Sequence, residues 1–276
     1  MKIVAHSLVK NEDKWIWYSL MSVIDYVDEI MVWDTGSTDN TKSQILNIKS
    51  QINSKKIKFR ERIAAVPFEI TKTRQEMLEE TKADWLIILD GDEIWPENAI
   101  KKTINTIKAS GNKYEFLISR YKNLIGDIYH YQEEKAGRYK IGNYFGNITI
   151  RAINMSSIPG LKFDLPYGKE GLFDINNIPI QDRIPQKSIV IEEPYLHATH
   201  LRRSNIQADL DTMQRTNKYK YELGLPMEKN FDYPKCFYFT GPSNPWKRRN
   251  LGYMLNAAWQ TPLKLIKRRI LDRLVA

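Results

Sequence analysis

The run Trp85-Leu86-Ile87-Ile88-Leu89 is unbroken apolar sequence, and it ends on Asp90-Gly91-Asp92-Glu93. A strand without a polar alternation has no solvent face, so it belongs in the middle of a sheet covered on both sides. The flanking chain supplies the covering layers. Strand patterns at 3–9, 29–33 and 57–63 alternate with helical patterns at 13–24, 41–52, 71–82 and, after Pro96, 99–107. Proline suits a helix start. Within 71–82, Arg74, Met77, Leu78 and Thr81 fall on one helical face. Strands alternating with helices predict βαβ units, hence an α/β fold with a mainly parallel sheet.

The pattern changes after about residue 112. Strand-like segments at 115–121, 147–153 and 188–192 are separated by joins rich in Gly and Pro. They predict an antiparallel extension of the same sheet with long loops, the usual carriers of binding function. A helix is expected over 203–223, and a helical C-terminus with a break at Thr261-Pro262. The 276 residues make one large domain or two small ones, and 42% hydrophobic content excludes global disorder. A single cysteine, Cys236, excludes a disulfide framework or a Cys-based zinc site within one chain and points to a reducing compartment. The N-terminal apolar run is interrupted by His6 and Ser7, too short and polar for a signal peptide. No stretch reaches the roughly 20 apolar residues of a spanning helix. A cytoplasmic location, at most peripheral on the inner face of the membrane, is therefore expected. The 42 Lys and Arg against 33 Asp and Glu leave a charge of +9, which suits an anionic partner: nucleic acid, phosphorylated metabolite or acidic membrane.

In an open parallel sheet, ligands bind beyond the carboxyl ends of the strands. Lys10-Asn11-Glu12 follows the first strand, Asp34-Thr35-Gly36-Ser37-Thr38-Asp39 the second, and Asp90-Gly91-Asp92-Glu93 the central one. Polar strand ends are common, and Asp39 is equally suited to cap the next helix. Three convergent ends point to a site. Carboxylates at i and i+2 on extended backbone share a side, and Gly91 between them permits close approach of a ligand. Their hard oxygens suit Mg²⁺ or Mn²⁺, which keep water and substrate phosphates as further ligands. Asp-Gly-Asp is also an ordinary turn; its position after the central strand makes it informative.

Val9-Lys10-Asn11-Glu12, Asp34-Thr35-Gly36-Ser37-Thr38-Asp39-Asn40-Thr41, Arg74 and Leu89-Asp90-Gly91-Asp92-Glu93 occur in that order. Together they resemble family 2 glycosyltransferases, inverting enzymes that use sugar nucleotides. The resemblance covers roughly the first 100 residues well, the next 100 loosely, and the last 70 or so not at all. It implies a GT-A fold, a Rossmann-like mixed sheet flanked by helices. Residues 1–200 would form that domain, 1–110 as the nucleotide-binding half and 111–200 as the acceptor half, with 201–276 a helical C-terminal extension. It also implies a donor pocket drawn from Val9, Lys10, Asn11, Glu12, Asp34, Gly36, Ser37, Arg74, Asp90, Gly91 and Arg202. Asp34 would contact base or ribose, and Arg74 a phosphate. Asp90-Gly91-Asp92 would be the DxD motif, with Asp92 the direct metal ligand and Asp90 nearer the ribose.

An inverting transfer needs a base for the acceptor hydroxyl. Similarity to bacterial relatives assigns it to Glu170 in Tyr167-Gly168-Lys169-Glu170-Gly171-Leu172, with Asp164 and Asp174 as competitors. Lys169 departs from the pattern, since such relatives often carry His there. His197-Ala198-Thr199-His200 follows a strand-like segment, and in several GT-A enzymes a late His completes the metal shell. His197, ahead of His200, is the candidate here; a core role is the alternative. Arg202 and Arg203 could reach a diphosphate, or be solvated charges. In the tail, Leu263, Ile266, Ile270 and Leu274 recur at helical spacing beside Lys264, Lys267, Arg268, Arg269 and Arg273, with Trp246-Lys247-Arg248-Arg249 upstream. Such a helix either packs its stripe on the domain or lies on an anionic membrane near a lipid-linked acceptor.

The expected activity is metal-dependent transfer of a sugar from a nucleotide donor, UDP-linked by expectation, to a glycan or glycolipid hydroxyl, as in cell-envelope polysaccharide synthesis. A nucleotidyltransferase also uses paired carboxylates and a metal, but no Gly-rich basic phosphate loop follows the first strand. A basic nucleic-acid-binding protein is permitted by the charge and 15 Tyr, yet acidic strand ends would repel phosphate; no nucleic-acid partner is expected.

Overall fold

A computed structural model of the chain describes residues 1–51, 55–183, 187–202 and 220–275, with side chains to residue 270. The first half runs β1 (Ile3–Val9), α1 (Ile16–Val23), β2 (Glu29–Asp34), α2 (Thr41–Gln51), β3 (Ile57–Glu61), α3 (Pro67–Glu80), β4 (Trp85–Ile88), β5 (Glu93–Ile94) and α4 (Glu97–Ser110). The second half is β6 (Phe116–Ile125), β7 (Asp127–Tyr131), β8 (Tyr139–Ile141), β9 (Tyr144–Gly146), β10 (Ile148–Asn154), β11 (Lys162–Asp164), β12 (Gly171–Phe173), β13 (Ser188–His200), β14 (Leu225–Pro226) and α5 (Leu251–Val275).

Ten strands form one mixed sheet in the order β14-β7-β6-β10-β4-β1-β2-β3, with β13 pairing β5 and β6. β1, β2, β3 and β4 are mutually parallel where they pair. β10 lies antiparallel to both β4 and β6, and so joins the two halves. The apolar run behaves as its pattern demands. Trp85 and Ile87 enter the main core with α1 and α4, while Leu86 and Ile88 enter a second core on the other face with Phe116, Ile118 and Ile153.

Expected and observed elements coincide closely in the first half. α3 begins earlier than its apolar pattern, because Pro67 occupies its first turn and the Glu69 carboxylate accepts the Ala65 and Val66 N–H groups at 2.8 and 3.3 Å. Two expectations are corrected. Residues 220–223, the described end of the helix expected over 203–223, are not helical, whereas 203–219, including Arg203, lie outside the described residues. The C-terminus does not break at Thr261-Pro262, since α5 carries Pro262 in its interior. Its neighbour Thr261 anchors the turn, donating its hydroxyl to Ala257 O at 2.6 Å and accepting the Leu223 N–H at 2.9 Å. The C-terminal segment also contributes to the main core, where Phe237 packs edge-on against Tyr18 at 5.3 Å.

Candidate active site

A cavity of about 800 Å³ opens at the carboxyl ends of β1 and β4, and β10, β13 and the 163–172 loop wall it opposite. Val9, Lys10, Glu12, Arg74, Asp90, Gly91, Asp92, Glu170 and His197 from the sequence reading all line it. Asn11, Asp34, Gly36, Ser37, His200 and Arg202 do not line it.

The second group has local roles. Asp34 is fully buried, and its Oδ1 accepts the N–H groups of Gly36 and Ser37 at 2.9 and 2.7 Å, closing a turn at the end of β2. Gly36 sits at φ +101° in that turn, where a side chain would be strained. Asn11 also has positive φ, and its Oδ1 accepts the Thr38 N–H at 2.8 Å while its own N–H donates to Ser37 Oγ at 2.8 Å. These bonds staple the β1 exit loop to the β2 exit loop, and so position Lys10 and Glu12 on the cavity wall. Arg202 is exposed and offers its carbonyl to the Trp15 indole N–H at 3.0 Å. His200 lies beside Lys220, 3.3 Å from Nε2 to Nζ.

Asp90-Gly91-Asp92 is a turn rather than extended backbone, closed by the Glu93 N–H on Asp90 O at 3.0 Å. Strand periodicity therefore does not set the direction of the two carboxylates, although both residues line the cavity. Asp90 accepts from Arg74 Nη2 at 3.4 Å and from Arg151 Nη2 at 2.9 Å. Asp92 is buried, with Oδ1 3.6 Å from His197 Nε2. Gly91 packs against protein, since a Cβ there would stand 3.0 Å from both Val9 and Glu12 side-chain carbons.

Glu170 shares Arg74 with Asp90, its Oε1 lying 3.3 Å from Arg74 Nε, and its Oε2 lies 3.2 Å from the Thr71 hydroxyl. Of its competitors, Asp174 is consumed by Arg183 and by the N–H groups of Asn176 and Ile178 at 2.9 Å. Asp164 binds its neighbours Leu165 N–H at 2.7 Å and Lys162 at 3.5 Å. Neither lines the cavity; Glu170 does.

Two residues enter that sequence reasoning did not assign. Arg151 bonds Glu93 as well as Asp90, and its Nε donates to the Tyr195 hydroxyl at 3.3 Å. The β10–β6 register steps from Ile150–Ile118 to Ala152–Leu117, which leaves Arg151 as the extra residue of a β-bulge. A bulge re-aims its side chain, and here it turns a guanidinium into the cavity. The signal was a lone arginine within an otherwise core-like strand. Glu93 is fully enclosed, and burial pushes its carboxyl up to about 7 against the opposing pull of Arg151. Burial alone would lower the His197 pKa; the Asp92 carboxylate outweighs it, and the net shift is upward.

The donor chemistry fits a hard divalent ion in part. Asp92 oxygen and His197 nitrogen converge on the cavity wall, and His197 Nδ1 is buried without a hydrogen-bond partner among the described residues. Asp90, a further candidate ligand, lines the same cavity and accepts from Arg74 and Arg151. Among the described residues no three His, Cys, Asp or Glu side chains form a preassembled cage. Any ion held here must draw most of its ligands from water and substrate phosphate, as Mg²⁺ and Mn²⁺ do.

The family described as Glycosyl transferase family 2 matches residues 8–163. No curated protein matches. Among solved structures, glucosyl-3-phosphoglycerate synthase from Mycobacterium tuberculosis in complex with Mn²⁺ and UDP-glucose is 20% identical, over 44% of each chain, with a TM-score of 0.36. The same synthase with Mn²⁺, UDP and glucosyl-3-phosphoglycerate is 16% identical over 71% of this chain and 72% of that one, with a TM-score of 0.48. S. aureus TarS is 20% identical over 45% of this chain and 22% of its own, with a TM-score of 0.38. The first synthase match and TarS are thus each spanned over less than half their length. The family match covers more than half of the 276 residues, and it includes the strand-end turns, Arg74 and the bulge that carries Arg151. On that match, and on the mixed sheet that helices flank, the chain belongs to glycosyl transferase family 2 and has the GT-A fold.

Proposed function

We propose that the cavity binds a nucleotide sugar and transfers its sugar, with inversion, to a hydroxyl of a glycan or lipid-linked acceptor. The observation that carries this reading is that Glu170 and the Asp90-Gly91-Asp92 turn line one cavity, with Arg74 paired to both Asp90 and Glu170. A base and a diphosphate site must face the anomeric carbon from opposite sides for a displacement to invert.

In this reading Glu170 takes the proton of the acceptor hydroxyl. The acceptor oxygen bonds to the anomeric carbon as the bond from that carbon to the diphosphate oxygen breaks, and the electron pair leaves with the nucleoside diphosphate. Arg74 orients Glu170 and places positive charge beside the departing phosphates, a geometry its fixed fork of donors suits. Asp92 and His197 would hold Mn²⁺ or Mg²⁺, which supplies charge neutralisation to the leaving group. A UDP-linked donor is the first to test.

The experiment measures nucleoside diphosphate release from a panel of sugar nucleotides with and without Mn²⁺. Asp92→Ala should reduce release at least a hundredfold. Glu170→Gln should do the same while keeping the rise in melting temperature that nucleoside diphosphate and Mn²⁺ confer on the native state. Full transfer by Glu170→Gln would assign the base elsewhere.

A further inference from the structure

One face of α5 packs on the domain. Tyr253 and Ala257 bury against Ile125, Lys264 Nζ donates to Tyr221 O at 2.7 Å, and Arg268 forks onto Glu222 at 2.7 and 2.8 Å. The other face carries Leu251, Leu255, Trp259, Leu263, Ile266 and Ile270, each between 55% and 75% exposed. At 100° per residue these six fall within an arc of about 120° and run about 29 Å along the helix. Isolated exposed apolar residues need no explanation, but a continuous stripe of this length does.

Spacing and charge both select its occupant. The stripe advances 19 residues in five steps, a repeat of about 3.8, whereas a left-handed helix pair needs 3.5. The apolar arc is also wider than a coiled-coil seam, so it suits a flat medium better than a second helix. From residue 247 to residue 270 the chain has Lys247, Arg248, Arg249, Lys264, Lys267, Arg268 and Arg269 and no acidic residue. Lys264, Lys267 and Arg268 further line a separate cavity of about 310 Å³ with Arg138 and Lys220. Lys264 and Arg268 belong to the packed face, whereas Lys267 and Arg269 are exposed along the two borders of the stripe.

We propose that α5 is an interfacial helix that docks the protein on an anionic phospholipid bilayer. The stripe enters the headgroup–acyl boundary, and the exposed Lys267 and Arg269, which border it on either side, meet lipid phosphate. Trp259, midway along the stripe, has the amphipathic ring that favours this depth. No described helix is long and apolar enough to cross a membrane, so the helix lies on the surface.

The test is co-sedimentation of the full chain with vesicles of phosphatidylcholine alone and with 30% phosphatidylglycerol, in the absence of any sugar nucleotide. The outcome is thus independent of catalysis. Binding to the anionic vesicles should exceed binding to neutral ones at least tenfold and weaken with salt. Leu255→Gln/Trp259→Gln should reduce it at least tenfold with the melting temperature unchanged, since both side chains are exposed. Lys267→Gln/Arg269→Gln should abolish the preference for anionic lipid. Failure to bind anionic vesicles, or equal binding by the Leu255→Gln/Trp259→Gln chain, overturns the proposal. So does a wild-type dimer in solution that the same substitutions dissociate, because the stripe would then belong to a second copy.

Discussion

Arg151 bonds two carboxylates, the cavity-lining Asp90 and the fully enclosed Glu93. Removing one partner of a buried pair costs more than the pair itself contributes, because a charge is stranded. Arg151→Met should therefore destabilise the fold by about 3–5 kcal/mol in urea unfolding. Adding Glu93→Gln should recover much of the loss; equal instability of the single and double variants would show that packing, not charge, dominates. His6 is the second residue with a clear consequence. Burial, and then the charge of Arg74, hold its pKa down at about 3, so the native state keeps it neutral while the unfolded chain protonates near 6.5. Its contribution is complete above pH 6.5 and is lost as pH falls towards 3. At pH 5 the loss amounts to about 2 kcal/mol relative to pH 7, and His6→Leu should flatten that part of the stability profile. Residue positions on the cavity wall were legible where they follow a strand end, as with Lys10, Glu12, Asp90 and Asp92. They were not legible where long-range packing decides them. Nothing local to Arg151 names Asp90 as its partner, whereas the turn that Asp34 closes on Gly36 and Ser37 is a local signal.

Elements with strong local signals formed where the sequence places them, β1 and β2 above all, because continuous apolar runs between helical patterns leave little choice. α2 illustrates how a polar residue serves this scaffold. Asp39 Oδ1 accepts the Thr41 N–H at 2.9 Å at the helix start, and its Oδ2 accepts the Asp13 N–H at 3.2 Å. The helix cap and the loop before α1 are thus one unit. Asp39→Ala should cost about 1–2 kcal/mol, the upper range for a lost cap. It should also loosen the β1 exit loop, which hydrogen exchange at 11–13 would report as faster amide exchange. Elements whose limits depend on partners were harder to read. β13 extends to His200, well beyond its apolar pattern, because it pairs with β6 in parallel and with β5 in antiparallel, with register shifts on the way. α5 passes through Pro262 because its packing face is held on both sides of the proline, by Ala257 and by Lys264 and Arg268.

At the scale of the molecule, the parallel half presents its strand ends, and the antiparallel half folds across to close a cavity over them. The βαβ half was legible because each unit is local in sequence. The closing half was legible only as strand content, since its pairings span long separations and its turns carry little signal. Family membership then sets aside the nucleotidyltransferase and nucleic-acid readings that composition alone left open. The joint between the halves is β10, and the irregularity at Arg151 is one residue in length rather than one residue in kind. A chain shortened by that single position could pair β10 with β6 without interruption, the residues on either side keeping their faces while the guanidinium is lost from the cavity. Such a chain should melt cooperatively with an unaltered circular dichroism spectrum and yet release no nucleoside diphosphate. The inserted residue would then matter to the cavity and not to the pairing of the sheet.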